Sequence, residues 1–156
     1  MEIEVPLRLT LDNDGFLRRE CPHCMREFKW HQGPVNEEAE QHPDPTTYYC
    51  PFCGEPAGPD SWWTQEQLAY IEAMQMAAAL RTMDAGLDDV FRGVSSKHIK
   101  LKRTGHLDIP DEPTPPIEPD DMTAVISPCH PYEPVKVPAE IPGPFRCLLC
   151  GSAFSV

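Results

Sequence analysis

The sequence predicts a small α+β protein in which two modules of short β-hairpins flank one long amphipathic helix. Two Cys-x-x-Cys motifs, Cys21–Cys24 and Cys50–Cys53, indicate hairpins that are stabilised by metal. Apolar residues from Leu68 to Phe91 recur mostly three or four positions apart, which is the period of a helix. The 19 prolines and 9 glycines interrupt the remainder of the 156-residue chain, because both residues tend to end helices and strands.

The two motifs together supply four thiolates, from Cys21, Cys24, Cys50 and Cys53. Four sulfurs can close a tetrahedron around one ion, a geometry that suits zinc or a single iron and that zinc generally uses for structure. The 25 residues between the motifs form a loop that costs little to close, since the cost grows only with the logarithm of its length. We therefore predict one zinc ion at these four cysteines.

A second metal site is predicted near the end of the chain. The motif Cys147–Cys150, followed by Gly151, repeats the form of Cys50–Gly54, and Cys129 lies upstream as a third ligand. The fourth ligand stays open, with His130 the nearest candidate in the sequence. Imidazole and carboxylate both bind zinc, so the other candidates are His98, His106 and Glu133.

The order of elements follows from alternation, turn residues and capping signals. The helix is expected to begin behind Thr64 as N-cap, with Gln67 completing a capping box, and to run for roughly 25 to 30 residues. Because Gly86 lies inside it, a division into two helices near Asp84–Leu87 is left open as an alternative. Strands are expected at 5–11, 16–20, 28–30, 48–49, 97–103, 123–126, 134–137 and 153–156.

Four segments are expected along the chain. Residues 1–60 form the first metal module, and residues 61–107 form the helix with a basic strand packed on it. Residues 108–122 are acidic and dense in proline, so they read as an extended linker. Residues 123–156 form the second module. On this division we expect Cys129→Ala to release only the second metal and to leave the first module intact.

The residues Cys21, Cys24, Cys50, Cys53 and Gly54 resemble the zinc-ribbon superfamily over about residues 16–57, and residues 123–156 resemble a second, partial ribbon. The resemblance implies β-hairpins closed around zinc and a surface that binds nucleic acid or protein. It implies no particular activity. The chain departs from the pattern after the first knuckle, where Met25 stands in place of glycine.

An alternative for the first site is a rubredoxin-like iron centre for electron transfer. Two CxxC knuckles at about this separation, the second followed by Gly54, resemble rubredoxins. The chain lacks a glycine after Cys24 and has Met25–Phe28 where rubredoxins carry an aromatic run. The long helix and the second cysteine cluster also speak against this alternative.

The formal charge of −12 disfavours nucleic acid as a partner, since phosphates repel an acidic protein unless a basic face is set apart. The alternative is a nucleic-acid-binding protein in which one compact basic stretch contacts the phosphate backbone. Its four residues are Lys97, Lys100, Lys102 and Arg103. Because aromatic stacking residues are not interleaved with them, a solvated edge strand is the favoured interpretation.

The expected function is a non-enzymatic, zinc-binding adapter or regulator that docks a protein partner. We predict no catalytic residue and no small-molecule substrate, because His-x-x-x-His and His-x-Glu motifs are absent from the sequence. The first residues lack the basic and apolar regions of a signal peptide, and free thiols persist in a reducing compartment, so a cytoplasmic location is expected. No apolar run has the length of a membrane span.

Overall fold

The computed structural model describes residues 2–156, which form eight strands, two α-helices and one 3₁₀ turn at Pro59–Ser61. The helices are α1 at Glu37–Glu40 and α2 at Gln65–Val94. The strands are β1 (Phe16–Glu20), β2 (Glu27–His31), β3 (Tyr48–Tyr49), β4 (Pro56–Ala57), β5 (Thr123–Val125), β6 (Val135–Val137), β7 (Phe145–Arg146) and β8 (Ala153–Phe154). The predicted α+β class is confirmed in this coarse sense.

One four-stranded antiparallel sheet has the order β1-β2-β6-β5, and two further hairpins pair β3 with β4 and β7 with β8. The central contact of the large sheet joins β2 to β6, with Lys29 opposite Lys136 and Trp30 opposite Val135. Hairpins from the two ends of the chain therefore share one sheet. From the sequence, these hairpins are expected in separate modules.

Strand alternation gives this sheet two different faces. One face carries Leu17, Phe28 and Trp30 of β1 and β2, which belong to the buried apolar cluster together with Val135 and Trp62. Edge-to-face aromatic pairs run through that cluster; the rings of Phe28 and Trp62 are 5.7 Å apart, and those of Trp30 and Trp62 are 6.2 Å apart. This aromatic face is the main core of the molecule.

The opposite face of the sheet is an ion-pair network. Arg18 contacts the carboxylates of Glu118 and Asp121 at 3.0 and 2.7 Å. Lys29 is fully buried and lies 3.3 Å from Asp12 and 3.0 Å from Glu118. The cationic groups of Arg18 and Lys29 are thus paired with carboxylates, as a charge in the protein interior must be.

This network changes the expected domain division. The segment around Glu118–Asp121 is not a free linker, because its carboxylates are held by Arg18 and Lys29 on the sheet. The chain divides instead into a sheet unit, residues Leu9–Gln67 with Pro116–Val156, and a helix unit, residues 2–8 with Leu68–Pro115. The acidic run that composition marks as one linker is therefore split, with its last residues belonging to the sheet unit.

Helix α2 begins as its capping signals predict. The Gln67 backbone N–H donates to the Thr64 hydroxyl at 3.1 Å, and the Thr64 N–H donates to the Gln67 side-chain oxygen at 3.0 Å. The helix runs unbroken for 30 residues, which confirms the predicted long helix and rules out the alternative of a break near Asp84–Leu87. A single exposed glycine such as Gly86 costs a helix only about 1 kcal/mol, which the long helix tolerates.

Two expected strands are also wrong. Residues 5–11 and 97–103 contain no strand in the described chain, although both alternate in sequence. Alternation makes a strand only when an edge is available for pairing, and neither segment pairs with another strand. In the helix unit, the Arg8 N–H instead donates to the Tyr70 hydroxyl at 3.2 Å.

Candidate metal centres

Each of the four hairpins of the sheet unit carries two candidate ligands in its turn. Strands β1 and β2 enclose Cys21–Cys24, and β3 and β4 enclose Cys50–Cys53. Strands β5 and β6 enclose Cys129 with His130, and β7 and β8 enclose Cys147–Cys150. A short hairpin projects its turn residues together at one end, so pairs of hairpins can bring four ligands to one point.

The first cluster contains Cys21, Cys24, Cys50 and Cys53, whose sulfurs all lie within 4.8 Å of one another. The sulfurs of Cys21 and Cys53 are 3.7 Å apart, and those of Cys24 and Cys50 are also 3.7 Å apart. Four sulfurs at about 2.3 Å from a central zinc, at tetrahedral angles, would lie about 3.8 Å apart. The cluster therefore has the size of a tetrahedral four-thiolate site, as the sequence predicts.

Backbone N–H groups point at the inner sulfurs of this cluster. The Cys21 sulfur accepts from His23 and Cys24 at 3.3 and 3.4 Å, and the Cys50 sulfur accepts from Phe52 and Cys53 at 3.4 and 3.5 Å. Such donors stabilise a thiolate, which is the form that binds metal.

The pKa values of the two buried thiols, Cys21 and Cys50, are shifted in opposite directions. Burial raises the pKa of Cys21, but hydrogen bonds from the Cys24 and His23 N–H groups and with the Cys50 and Cys53 side chains outweigh burial, and the net shift is downward. For Cys50 burial is the larger effect, and the pKa is raised. A raised pKa opposes formation of the thiolate unless a cation lies nearby.

Met25 takes the place of the glycine that follows a knuckle, and it adopts the glycine conformation. Its φ is +64°, beside +77° at Gly54 and +74° at Gly151. Its N–H donates to the Cys21 carbonyl at 3.0 Å, as Gly54 does to Cys50 at 3.0 Å. The first knuckle therefore keeps the ordinary geometry, at the cost of a left-handed backbone that side chains disfavour.

The second cluster brings Cys129, His130, Cys147 and Cys150 together, with their ligand atoms within 4.8 Å of one another. The sulfurs of Cys129 and Cys150 are 3.5 Å apart, and the Cys147 sulfur is 3.3 Å from Nδ1 of His130. His130 thus lies where a fourth ligand is needed. Of the other candidates, His106 pairs with Asp84 at 3.1 Å, and Glu133 and His98 are not part of the cluster.

Adjacent residues can serve this cluster because the β5–β6 turn is itself a knuckle with a changed ligand set. Ser127 stands at its first position, and its hydroxyl accepts the His130 N–H at 3.2 Å, just as the Cys21 sulfur accepts the Cys24 N–H. The sequence Ser127–His130 reads S-P-C-H against C-P-H-C in Cys21–Cys24. The shared proline was the available signal, and sequence reasoning missed it.

Two sulfurs of the second cluster form hydrogen bonds with serine hydroxyl groups. The Ser127 hydroxyl donates to the Cys147 sulfur at 3.2 Å, and the Ser152 hydroxyl lies 3.2 Å from the Cys150 sulfur. Hydrogen bonding by Ser152 lowers the pKa of Cys150 to about 6. Burial raises the pKa of Cys147, where the Ser127 hydroxyl only partly compensates. Of these two thiols, Cys150 is the one whose pKa favours the thiolate.

The Cys50–Cys53 knuckle of the first cluster and the Cys147–Cys150 knuckle of the second contact each other through two reciprocal hydrogen bonds. The Tyr49 N–H donates to the Leu148 carbonyl at 2.8 Å, and the Arg146 N–H donates to the Pro51 carbonyl at 2.8 Å. Tyr49 and Arg146 each precede the first cysteine of a knuckle, and Pro51 and Leu148 each follow it. The two knuckles therefore meet around an approximate two-fold axis.

A third group of potential ligands lies in the helix unit, where Asp84, Asp88 and His106 come together. Arg103 already occupies this group, hydrogen bonding Asp84 through Nη2 and Asp88 at 3.0 Å through Nη1. Its hydrogen bonds help lower the pKa of Asp84 to about 2, after the Leu107 N–H as the largest cause. A guanidinium stands where a cation would bind, so this group is an ion-pair site.

The basic stretch of the nucleic-acid alternative is weakened by the same contact. Lys97, Lys100 and Lys102 are exposed, but Arg103 is engaged by Asp84 and Asp88. The exposed positive charge is therefore smaller than the sequence suggests.

Comparison of the chain with known protein families, curated proteins and solved structures finds no match in any of the three. Within residues 2–156, no helix is both long and apolar enough to cross a membrane.

Proposed function

We propose that this protein is a non-catalytic zinc protein, in which two zinc ions hold the hairpins together and an exposed surface docks a protein partner. The observation that carries the proposal is the closure of both clusters by four protein ligands, Cys₄ in the first and Cys₃His in the second. Catalytic zinc keeps a coordination position open for water, whereas structural zinc has all four positions filled by the protein.

The ligand sets favour zinc over iron. Cys₃His is a common structural zinc set, while a rubredoxin-like iron centre takes four thiolates. Among the clusters found in residues 2–156, only the first has the four cysteines that such an iron needs. All seven cysteines are free thiols, which fits ligands kept reduced in the cytoplasm.

The helix supplies the surface for a partner. Five apolar residues of α2 lie on one face and remain 39–60% exposed, a pattern that marks a contact surface when it is contiguous. Methionine-rich helix faces adapt to protein partners because the side chain is flexible and polarisable. We call these residues the apolar stripe, and they are Met76, Met83, Leu87, Val90 and Val94.

Elemental analysis of the purified chain tests the metal half of the proposal. Two zinc ions per chain are expected. One iron in place of the first zinc, with reversible reduction, would replace the proposal by the electron-transfer alternative.

Photo-crosslinking tests the docking half. A photoreactive amino acid at position 83 should give a protein adduct in cells, while the same group at the exposed position 85, across the helix, should not. Equal labelling from Met83 and Ala85, or adducts to nucleic acid from position 83, would contradict a protein-docking stripe.

A further inference from the structure

A cleft of about 590 Å³ opens beside the aromatic face of the sheet unit. Its size lies within the range of small-molecule sites, about 300–1,000 Å³. It is framed by β2, the loop at residues 32–46 and the turn that carries Tyr132 and Glu133. The side chains that matter for its chemistry are Arg19, Trp30, His42, Tyr48, Tyr132 and Glu133.

Arg19 is the unusual member of this lining. It is only 6% exposed, and its guanidinium is stacked 4.4 Å from the ring centre of Trp30 and 4.6 Å from that of Trp63. Its Nε and Nη1 atoms are buried and have no hydrogen-bond partner among residues 2–156. Stacking between two indoles offsets part of the cost of burying the charge, but it leaves the N–H donors unused.

The neighbouring residue shows what a satisfied arginine looks like in this sheet. Arg18 points to the opposite face and contacts the carboxylates of Glu27, Glu118 and Asp121. A buried donor without an acceptor is rare in native proteins and calls for an explanation such as a ligand. Burial lowers the pKa of Arg19 to about 10, with only a partial offset from Tyr48 and Asp60, so the group stays cationic at neutral pH.

The lining also restricts the ligand. Asp44 and Glu133 border the same cleft, and they would repel a dianion such as phosphate more than a monoanion. Aromatic rings line the cleft. The ring centres of Trp30 and Tyr48 are 4.5 Å apart, and those of the stacked rings of His42 and Tyr132 are 4.0 Å apart. A planar apolar body would pack against such walls, and a guanidinium fork matches a carboxylate.

We infer that this cleft binds a small aromatic monocarboxylate, with the carboxylate at Arg19 and the ring between the aromatic walls. This goes beyond the structural role of the zinc ions and the docking stripe of α2, and it does not depend on either. It assigns the protein a binding site for a small acid, which the sequence analysis did not expect.

Calorimetry on the zinc-loaded full chain tests the inference with matched pairs of probes: benzoate against benzamide, and indole-3-acetate against indole-3-acetamide. Each acid should bind at least tenfold more tightly than its amide, because only the acid can use the guanidinium. Arg19→Met should abolish this preference, while Arg92→Met on the exposed surface of α2 should preserve it. Equal binding of acids and amides, binding of neither, or an unchanged preference in Arg19→Met would overturn the inference.

A second variant keeps the test decisive if Arg19→Met fails to fold. Glu133→Gln removes a negative charge that borders the cleft and leaves Arg19 in place. It should tighten binding of the acids several-fold and leave binding of the amides unchanged. No change in acid affinity would contradict a carboxylate held in this cleft.

Discussion

Tyr49 and Arg146 occupy the same position in two different cysteine knuckles, and each donates its backbone N–H across to the other knuckle at 2.8 Å. Their side chains repeat the exchange, since the Tyr49 ring covers Gly151 and the Arg146 chain covers Gly54. Together with the pairing of β2 and β6, this contact makes the two metal clusters parts of one folded unit.

Loss of the second metal should therefore weaken the first site. Cys147→Ala removes a ligand beside Leu148, whose carbonyl accepts the Tyr49 N–H. We expect one zinc ion per chain to remain in the variant. A chelator should remove this ion about tenfold faster than it removes the more slowly released of the two zinc ions of the unaltered protein. The factor follows from the coupling free energy between two sites, which is typically about 1–3 kcal/mol. Stopped-flow release into a chromogenic chelator measures this rate. An unchanged rate would restore the independent modules expected from sequence.

Met25→Gly should stabilise the protein. The backbone at Met25 has a φ of +64° and its side chain is 58% exposed, so glycine relieves the left-handed conformation and loses little packing. We expect the free energy of unfolding to rise by about 0.5–1 kcal/mol. Denaturant titration at a fixed excess of zinc measures the change. Met25→Ala is the control, since it shortens the side chain but keeps Cβ and should give no gain.

Asp12→Asn should be strongly destabilising. The Asp12 carboxylate is fully buried and lies 2.8 Å from the ammonium of Lys136 and 3.3 Å from that of Lys29. Removing its charge leaves two buried cations short of a partner, which costs about 3 kcal/mol or more. Asp14→Asn is the matched control, because Asp14 also contacts Lys136 but is 70% exposed, and it should cost less than about 1 kcal/mol.

The pH dependence of this pair of variants follows from the same contacts. Burial raises the pKa of Asp12, but hydrogen bonds from Lys136, from the Phe16 and Asp14 backbone and from Lys29 outweigh it and lower the pKa to about 2. A lowered folded-state pKa adds stability that is complete above the unfolded pKa of about 4 and is lost as the pH falls toward 2. The penalty of Asp12→Asn should thus be constant from pH 7 to 5. A penalty that shrinks within that window would show that Asp12 is protonated in the fold.

Gly151→Ala should destabilise the contact between the knuckles. A Cβ at Gly151 would lie 2.9 Å from Cδ1 of the Tyr49 ring, and the backbone there has a φ of +74°. Gly33→Ala has a similar φ of +84° and no atom within 4 Å of the new Cβ, so it isolates the backbone cost of about 1 kcal/mol. We expect Gly151→Ala to cost about 1–3 kcal/mol more than this control. An equal decrease in melting temperature in the two variants would mean that the Tyr49 ring moves aside at no cost in stability.

Local features of the fold were predictable because they depend on neighbours in sequence. The CxxC knuckles, the hairpins around them and the capping box of Thr64 and Gln67 each involve residues a few positions apart. Alternation alone was a poor guide at 5–11 and 97–103, where no strand of the described chain pairs with either segment. The S-P-C-H turn lacks the CxxC spacing, because its candidate ligands are the third and fourth residues, whereas in Cys21–Cys24 they are the first and fourth.

The sequence by itself determined which residues are the candidate ligands, that the fold is a small α+β arrangement of hairpins, and where the long helix begins. Tertiary structure decided that β2 pairs with β6 and that His130 joins the second cluster. It also decided that two buried N–H groups of Arg19 have no hydrogen-bond acceptor among residues 2–156. The reason is physical: ligand spacing and caps are set by short-range geometry. Strand pairing and the partners of a buried charge depend on packing between segments far apart in the chain, which no local pattern encodes.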